Sequence, residues 1–240
     1  MTENHISHID NCWIVTSKDK AKLVDSLWFD DKYWLNQGRL LGASSGRGSA
    51  WMVKSETQKM MLRHYYRGGI PAKFIKDKYF WTGLKASRSF SEYYLLQKMQ
   101  ELNLPVPKAI AAQTCKKGLF YQGNILIEYL RHQSTFAGII NSADNKKSWE
   151  NCGKTIAKFH NHGINHADLN AHNILLADEK TYLIDFDHSK QCKIKRTWQK
   201  ANMARLKRSV DKLTSKENKK TNAKNWRILM NAYNQYLEKE

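Results

Sequence analysis

Three oxygen-bearing side chains, Asp168, Asn173 and Asp185, lie within the run H-A-D-L-N-A-H-N-I-L-L-A-D-E-K-T-Y-L-I-D-F-D at 166–187. Together they have the chemistry to hold a hard divalent cation and to take a proton from an alcohol. Carboxylate and amide oxygens suit Mg²⁺, which keeps several waters and prefers phosphates plus one or two carboxylates to a full protein cage. The spacing supplies a geometry. Asp168 and Asn173 fall on a loop, Ile174-Leu175-Leu176 reads as a short buried strand, 177–180 as a turn, and Tyr182-Leu183-Ile184 as a returning strand. Such a hairpin delivers Asp185 beside its starting point. Asp and Asn are also common in ordinary surface turns, so the run is weighed with its surroundings.

The pattern H-x-D-L-x-x-x-N followed by Asp-Phe resembles the protein-kinase signature, and that resemblance gives the roles: Asp168 as base, Asn173 and Asp185 as magnesium ligands. His166 heads the loop, where an imidazole orients backbone rather than titrating. Upstream, Gly46-Arg47-Gly48-Ser49-Ala50-Trp51-Met52-Val53 resembles a glycine-rich nucleotide loop in which Gly46 and Gly48 cover ATP phosphates, although Gly-Arg-Gly also fits a plain hairpin turn. The following strand-like run, Lys59 to Tyr65, offers Arg63 where kinases carry the phosphate-pairing lysine. Arginine forks onto phosphate with a geometry unlike that of an ammonium, and Lys54 and Lys59 are the alternatives. The helical spacing of Tyr93, Leu96 and Met99 after a polar start places Glu92 in the first turn of a helix. There it either pairs with the strand cation or answers the helix dipole. Pro105 and Pro107 close this unit. The apolar run Gly123 to Leu130 reads as a strand ending in a short polar connection; the kinase resemblance implies that this is the hinge, with Glu128 and Leu130 as the backbone contacts to adenine.

With these elements, the kinase resemblance implies an α+β, protein-kinase-like bilobal fold: an antiparallel-sheet N-lobe over 1–130 and a mainly helical C-lobe over 131–240. Trp149, Cys152, Ile156, Phe159 and His160 form a helical core stripe that His162-Gly163 stops. With 240 residues, eight Trp, eleven Tyr and eight Phe, the chain can bury a large core and is not a disordered polymer. The N-terminal few residues and 215–223 read as loosely held. Cys12, Cys115, Cys152 and Cys192 form no C-x-x-C pair, and no signal peptide or twenty-residue apolar span is present, so a cytosolic, reduced chain is expected.

Forty Lys and Arg against 22 acidic residues give a net charge of +18. The region after Asp187 is especially basic, with Lys190, Lys193, Lys195, Arg196, Lys200, Arg205, Lys207, Arg208 and Lys212 in close succession. Such an excess points to a polyanion, either nucleic acid through counterion release or an anionic membrane surface. The stretch from Tyr65 to Trp81 interleaves aromatic and cationic residues, which suits a membrane interface and base stacking alike.

L-R-H-Y-Y-R-G-G at 62–69, R-S-F-S-E-Y-Y-L-L at 88–96, L-P-V-P at 104–107, H-A-D-L-N-A-H-N-I-L-L at 166–176 and I-D-F-D at 184–187 resemble, over nearly the full chain, the 3-deoxy-D-manno-octulosonic acid (Kdo) kinases of Gram-negative bacteria, relatives of the lipopolysaccharide heptose kinases. The resemblance implies ATP and Mg²⁺ as cofactors, transfer to the 4-hydroxyl of Kdo in Kdo-lipid A, and catalysis at Asp168. It also implies a peripheral enzyme on the cytoplasmic face of the inner membrane, with an anionic glycolipid as partner and no nucleic acid. Ala167 stands where regulated protein kinases carry an arginine, and no A-P-E follows Asp185, which favours an unregulated small-molecule or lipid-sugar kinase. Asp187 replaces the glycine of D-F-G and serves either as a metal contact or as a loop cap. A kinase for heptose or another hydroxyl, and a non-catalytic basic binder, are the other readings.

Overall fold

The fold is taken from a computed structural model, which describes residues 3–43, 50–66, 77–142, 145–177 and 180–237. Gly46, Gly48 and most of the aromatic-basic stretch 65–81 lie outside the described residues. The chain forms two compact units, one of residues 1–97 with 107–130 and the other of 98–106 with 131–240.

The first unit is built on β1 (Asn4–Ile9), β2 (Cys12–Ser17), α1 (Asp31–Asn36), β3 (Leu40–Ala43), β4 (Ala50–Lys54), β5 (Lys59–His64), β6 (Tyr79–Phe80), α2 (Arg88–Glu101), β7 (Ala109–Lys117) and β8 (Phe120–Glu128). Every strand pairing is antiparallel, in the order β1-β2-β7-β8-β5-β4-β3, with β6 on β8. Strand side chains alternate between faces. Met60 and Leu62 of β5 therefore join Ile14, Val53, Ile110, Leu126 and, from α1, Trp34 in a buried cluster. Met61 and Arg63 point to the opposite face. There α2 buries Ser89, Glu92, Tyr93 and Leu96, spaced as one helical stripe. Ser89 Oγ donates to the Gln113 carbonyl (2.9 Å), fastening the helix to β7.

Three expectations are corrected here. Glu92 sits in the second turn of α2, because the helix begins at Arg88, so proximity to the helix N-terminus is not what holds it. Cys12 and Cys115 stand opposite each other across β2 and β7, with Cα atoms 4.0 Å apart, and form a disulfide, whereas Cys152 and Cys192 are free thiols. Strand pairing across 103 residues brings the two together, a proximity that Cys spacing along the chain does not reveal. The chain is also ordered into strand from Asn4.

The second unit contains β9 (Ser134–Thr135), α3 (Phe136–Ile139), α4 (Lys146–Asn161), β10 (Ile164–Asn165), β11 (Ile174–Ala177), β12 (Lys180–Leu183), β13 (Lys190–Gln191), α5 (Arg196–Leu213) and α6 (Lys219–Tyr236). The whole predicted stripe of α4, Trp149 to His160, is buried, and the helix stops at His162 followed by Gly163 with φ +71°. Residues 215–223, expected to be loose, are fixed by polar ties. Asn141 donates to the Leu213 carbonyl (2.9 Å) and accepts from Ser215 N (3.0 Å), and α6 begins at Lys219.

α4 and α6 approach closely at Gly153, where a Cβ would lie 2.2 Å from the Leu229 carbonyl oxygen and 3.0 Å from Tyr233 N. Backbone cannot yield as a side-chain tip can. Gly153→Ala is expected to lower stability by about 3 kcal/mol, measured by urea unfolding. His160 of α4 shares a hydrogen bond with Tyr233 of α6 (Nδ1 to the hydroxyl, 2.7 Å), and burial pushes its pKa down to about 4. The unfolded chain binds this proton below about pH 6.5 and the folded protein does not. Stability should therefore fall by about 3 kcal/mol between pH 6.5 and 4 on account of this group. A shallower pH dependence of the unfolding midpoint in His160→Asn checks the assignment.

Candidate active site

The predicted hairpin is present as β11 and β12, paired Ile174↔Leu183 through Ala177↔Lys180. The ladder runs on past the strands, since Ile184 N donates to the Asn173 carbonyl at 3.1 Å. Asn173 is thereby placed beside the residue that precedes Asp185. Asp185 has φ +62°, a left-handed conformation uncommon for a residue with a side chain. Phe186, next along, is fully buried, stacked on Phe159 with centroids 5.8 Å apart.

His166 joins the loop to the hairpin. Its Nδ1 accepts from Asp168 N (3.2 Å), so its Nε2–H donates to the Ile184 carbonyl (3.0 Å). Only a neutral imidazole makes both bonds. The ring is buried against Phe186 at a centroid distance of 4.8 Å, and desolvation depresses its pKa.

Asn170 shapes the loop from within. Its Oδ1 accepts from His172 N (2.9 Å) and Asn173 N (3.2 Å), capping the 3-10 turn Ala171–Asn173, and its Nδ2 donates to Asp168 Oδ2 (3.0 Å). Asn173 Nδ2 donates to the Asp168 carbonyl (3.0 Å). With the amide nitrogen so committed, Asn173 Oδ1 is the atom left for a cation. An amide oxygen and the Asp185 carboxylate are hard donors of the kind Mg²⁺ takes alongside phosphate and water, so the residues present fit that ion. Asp187, half-buried, lies 3.9 Å from His188 Nε2.

Helix α5 lies along this loop. Asn202 Oδ1 accepts from His166 N (3.2 Å), Arg205 Nη1 donates to Asp168 Oδ1 (3.0 Å), and Ser209 Oγ accepts from Ala171 N (3.1 Å). Residues 202, 205 and 209 follow helical spacing, so one face of α5 reads successive residues of the loop. Asn170, Asn202 and Ser209 were not anticipated, and Arg205 was read only as part of a charge run. Asn170 had a local signal, an Asx two residues before the amides that it caps. The others had none beyond the spacing within a helix whose partner was unknown.

In the first unit, Arg63 of β5 meets Glu92 of α2 in an ion pair, with Glu92 buried. The Tyr65 hydroxyl donates to the same carboxylate oxygen (2.7 Å) and its ring lies 4.9 Å from the Arg63 guanidinium carbon. Burial, reinforced by the Glu92 charge, raises the Tyr65 pKa well above the usual phenol value. Glu128 ends β8 with its N–H donated to the Lys108 carbonyl (2.9 Å) and its carboxylate accepting from Lys108 N (3.2 Å). Leu130 closes the unit.

Known proteins bear on this geometry. The chain is 37% identical over 236 residues to the 3-deoxy-D-manno-octulosonic acid kinase of Haemophilus influenzae (strain PittEE), covering 94% of this chain and 98% of that one. It is 38% identical over 209 residues to the enzyme of the same name from Vibrio vulnificus (strain YJ016), covering 85% and 87%. In fold it is similar to amicoumacin kinase hAmiN, solved with AMP-PNP, Ca²⁺ and Ami, at a TM-score of 0.64 and 9% identity over 88% of this chain and 79% of that one. The sheet-based first unit and helical second unit are those of the kinase-like α+β fold. Because residues 31–233 match the family described as lipopolysaccharide kinase (Kdo/WaaP) and the β11–β12 hairpin lies inside that span, the chain belongs to the lipopolysaccharide kinase (Kdo/WaaP) family.

Proposed function

We propose that this chain transfers the γ-phosphoryl group of ATP to the 4-hydroxyl of Kdo in Kdo-lipid A during lipopolysaccharide inner-core biosynthesis, as a peripheral enzyme on the cytoplasmic face of the inner membrane. The observation that carries this reading is the placement of Asp168, held by the His166 imidazole on its N–H and by Asn170 on its Oδ2, in a chain of this family. In the reaction the Kdo hydroxyl oxygen bonds to the γ-phosphorus as the bond to the β-phosphate oxygen breaks. Asp168 orients that hydroxyl and takes its proton. Asn173 and Asp185 would hold Mg²⁺, which would supply neutralisation of the phosphate charge. Gly46 and Gly48 cover the phosphates, Arg63 pairs with them while Glu92 fixes its guanidinium, and backbone groups of Glu128 and Leu130 face the adenine. Residues 1–130 and 131–240 act as the two lobes.

The membrane placement is supported by charge. Among the described residues no helix is long and apolar enough to cross a bilayer, while the net charge is +18. Between α5 and α6, Met203, Trp226 and Met230 line a groove edged by Arg196, Lys200 and Lys207, a combination that suits an anionic, apolar-bodied lipid surface.

With ATP and Mg²⁺, the protein is expected to add one phosphate to Kdo-lipid A, read by mass spectrometry, and not to heptose or protein serine. Asp168→Asn should lower kcat by about 100- to 10,000-fold while the melting temperature is retained; undiminished turnover would remove the base. Glu92→Ala removes the buried carboxylate that the Arg63 guanidinium and the Tyr65 hydroxyl share. It should raise KM for ATP and cost about 3–5 kcal/mol of stability, whereas an unaltered KM would separate the ion pair from nucleotide binding.

A further inference from the structure

Arg205 occupies a position that the roles above do not explain. Its guanidinium bonds Asp168 Oδ1 at 3.0 Å, yet both side chains remain about half exposed, at 49% and 53%. Asp168 does not need it as a support, since Asn170 already holds Oδ2 and His166 the backbone. Nor is it a loosely placed surface arginine: Asn202 and Ser209, on the same face of α5 to either side, bond the backbone of His166 and Ala171. The helix is thereby locked to the loop, and Arg205 is aimed at the base. Among the described residues the contact to Asp168 engages one of the five N–H donors that a guanidinium carries.

We propose that Arg205 binds the carboxylate of the acceptor sugar, bridging it to Asp168. This rests on the reading that the acceptor is Kdo, which is itself an acid. A base that is a carboxylate and a substrate that bears one repel each other when brought close, so a cation is required between them. Arg205 is at hydrogen-bond distance from the base and keeps a donor edge for a second, forked carboxylate contact. The sugar carboxylate lies two ring carbons from the 4-hydroxyl. Gripping the former on Arg205 sets the latter against Asp168, so the same residue supplies affinity and register, and sugars lacking an acid group are disfavoured.

The test compares two acceptors within each enzyme variant, which removes differences in folded fraction. A synthetic Kdo-glucosamine disaccharide is prepared as the free acid and as its carboxamide, and kcat and KM are measured for wild type, Arg205→Gln and Arg205→Lys. For the wild type, the acid should be preferred by about 10- to 100-fold. Arg205→Gln should abolish most of that preference, chiefly through KM for the acid and with KM for ATP unchanged, and Arg205→Lys should restore part of it. Equal losses on acid and amide would make Arg205 a support for Asp168 or for the transferred phosphoryl group and overturn the proposal. An unchanged preference in Arg205→Gln would overturn it as well. Wild-type protein inactive on both the free acid and Kdo-lipid A would instead refute the Kdo reading, and this inference with it.

Discussion

A single uncharged imidazole sets the geometry of the segment from His166 to Phe186. His166 must accept at Nδ1 from Asp168 N and donate at Nε2 to the Ile184 carbonyl, a division of roles open only to the neutral ring. Burial enforces that neutrality, and burial comes from Phe186 and the core of α4 around Phe159. Apolar packing thus decides a protonation state, the protonation state decides two hydrogen bonds, and these fix the loop of Asp168 to the strand end that presents Asp185. The left-handed backbone at Asp185 persists because Phe186 on one side is anchored in the core and Ile184 on the other is bonded to both His166 and Asn173.

The first unit depends on a comparable constraint of opposite character. Glu92 lies on the buried stripe of α2 with Ser89, Tyr93 and Leu96, where an unpartnered carboxylate would be heavily penalised. Arg63 and Tyr65 answer it from β5 and the residue beyond. Buried ion pairs of this kind add little net stability over an apolar replacement. What the pair provides is a guanidinium held in one orientation, which an apolar core would not supply.

Charge illustrates how one sequence feature divides into two structural ones. The part of the basic run that follows Lys195 forms α5, and on that helix Lys200 and Lys207 edge a groove facing α6 while Arg205 is directed at Asp168. Net charge describes the field of the whole surface. It does not reveal which cation has been set apart by helix rotation for a neighbouring loop.

What could be read from the chain alone was what is local. Asp168, Asn173 and Asp185 fall within eighteen residues, so a period-two pattern and one reversal suffice to bring them near each other, and the α4 stripe and the strand bearing Arg63 follow from short-range periodicity, whereas the pairing of Arg63 with Glu92, 29 residues away, was one of two readings and came from the kinase resemblance. Helix onset was less legible: polar residues can cap or begin a helix, and the one-turn difference moved Glu92 away from the dipole. Folding alone decided the rest. The Cys12–Cys115 pairing, the tie of Ser215 to Asn141 and the alignment of Asn202, Arg205 and Ser209 on the loop 166–171 each join residues distant in sequence. Periodicity tells which side of an element is apolar; only packing against a particular neighbour determines what its remaining polar groups meet.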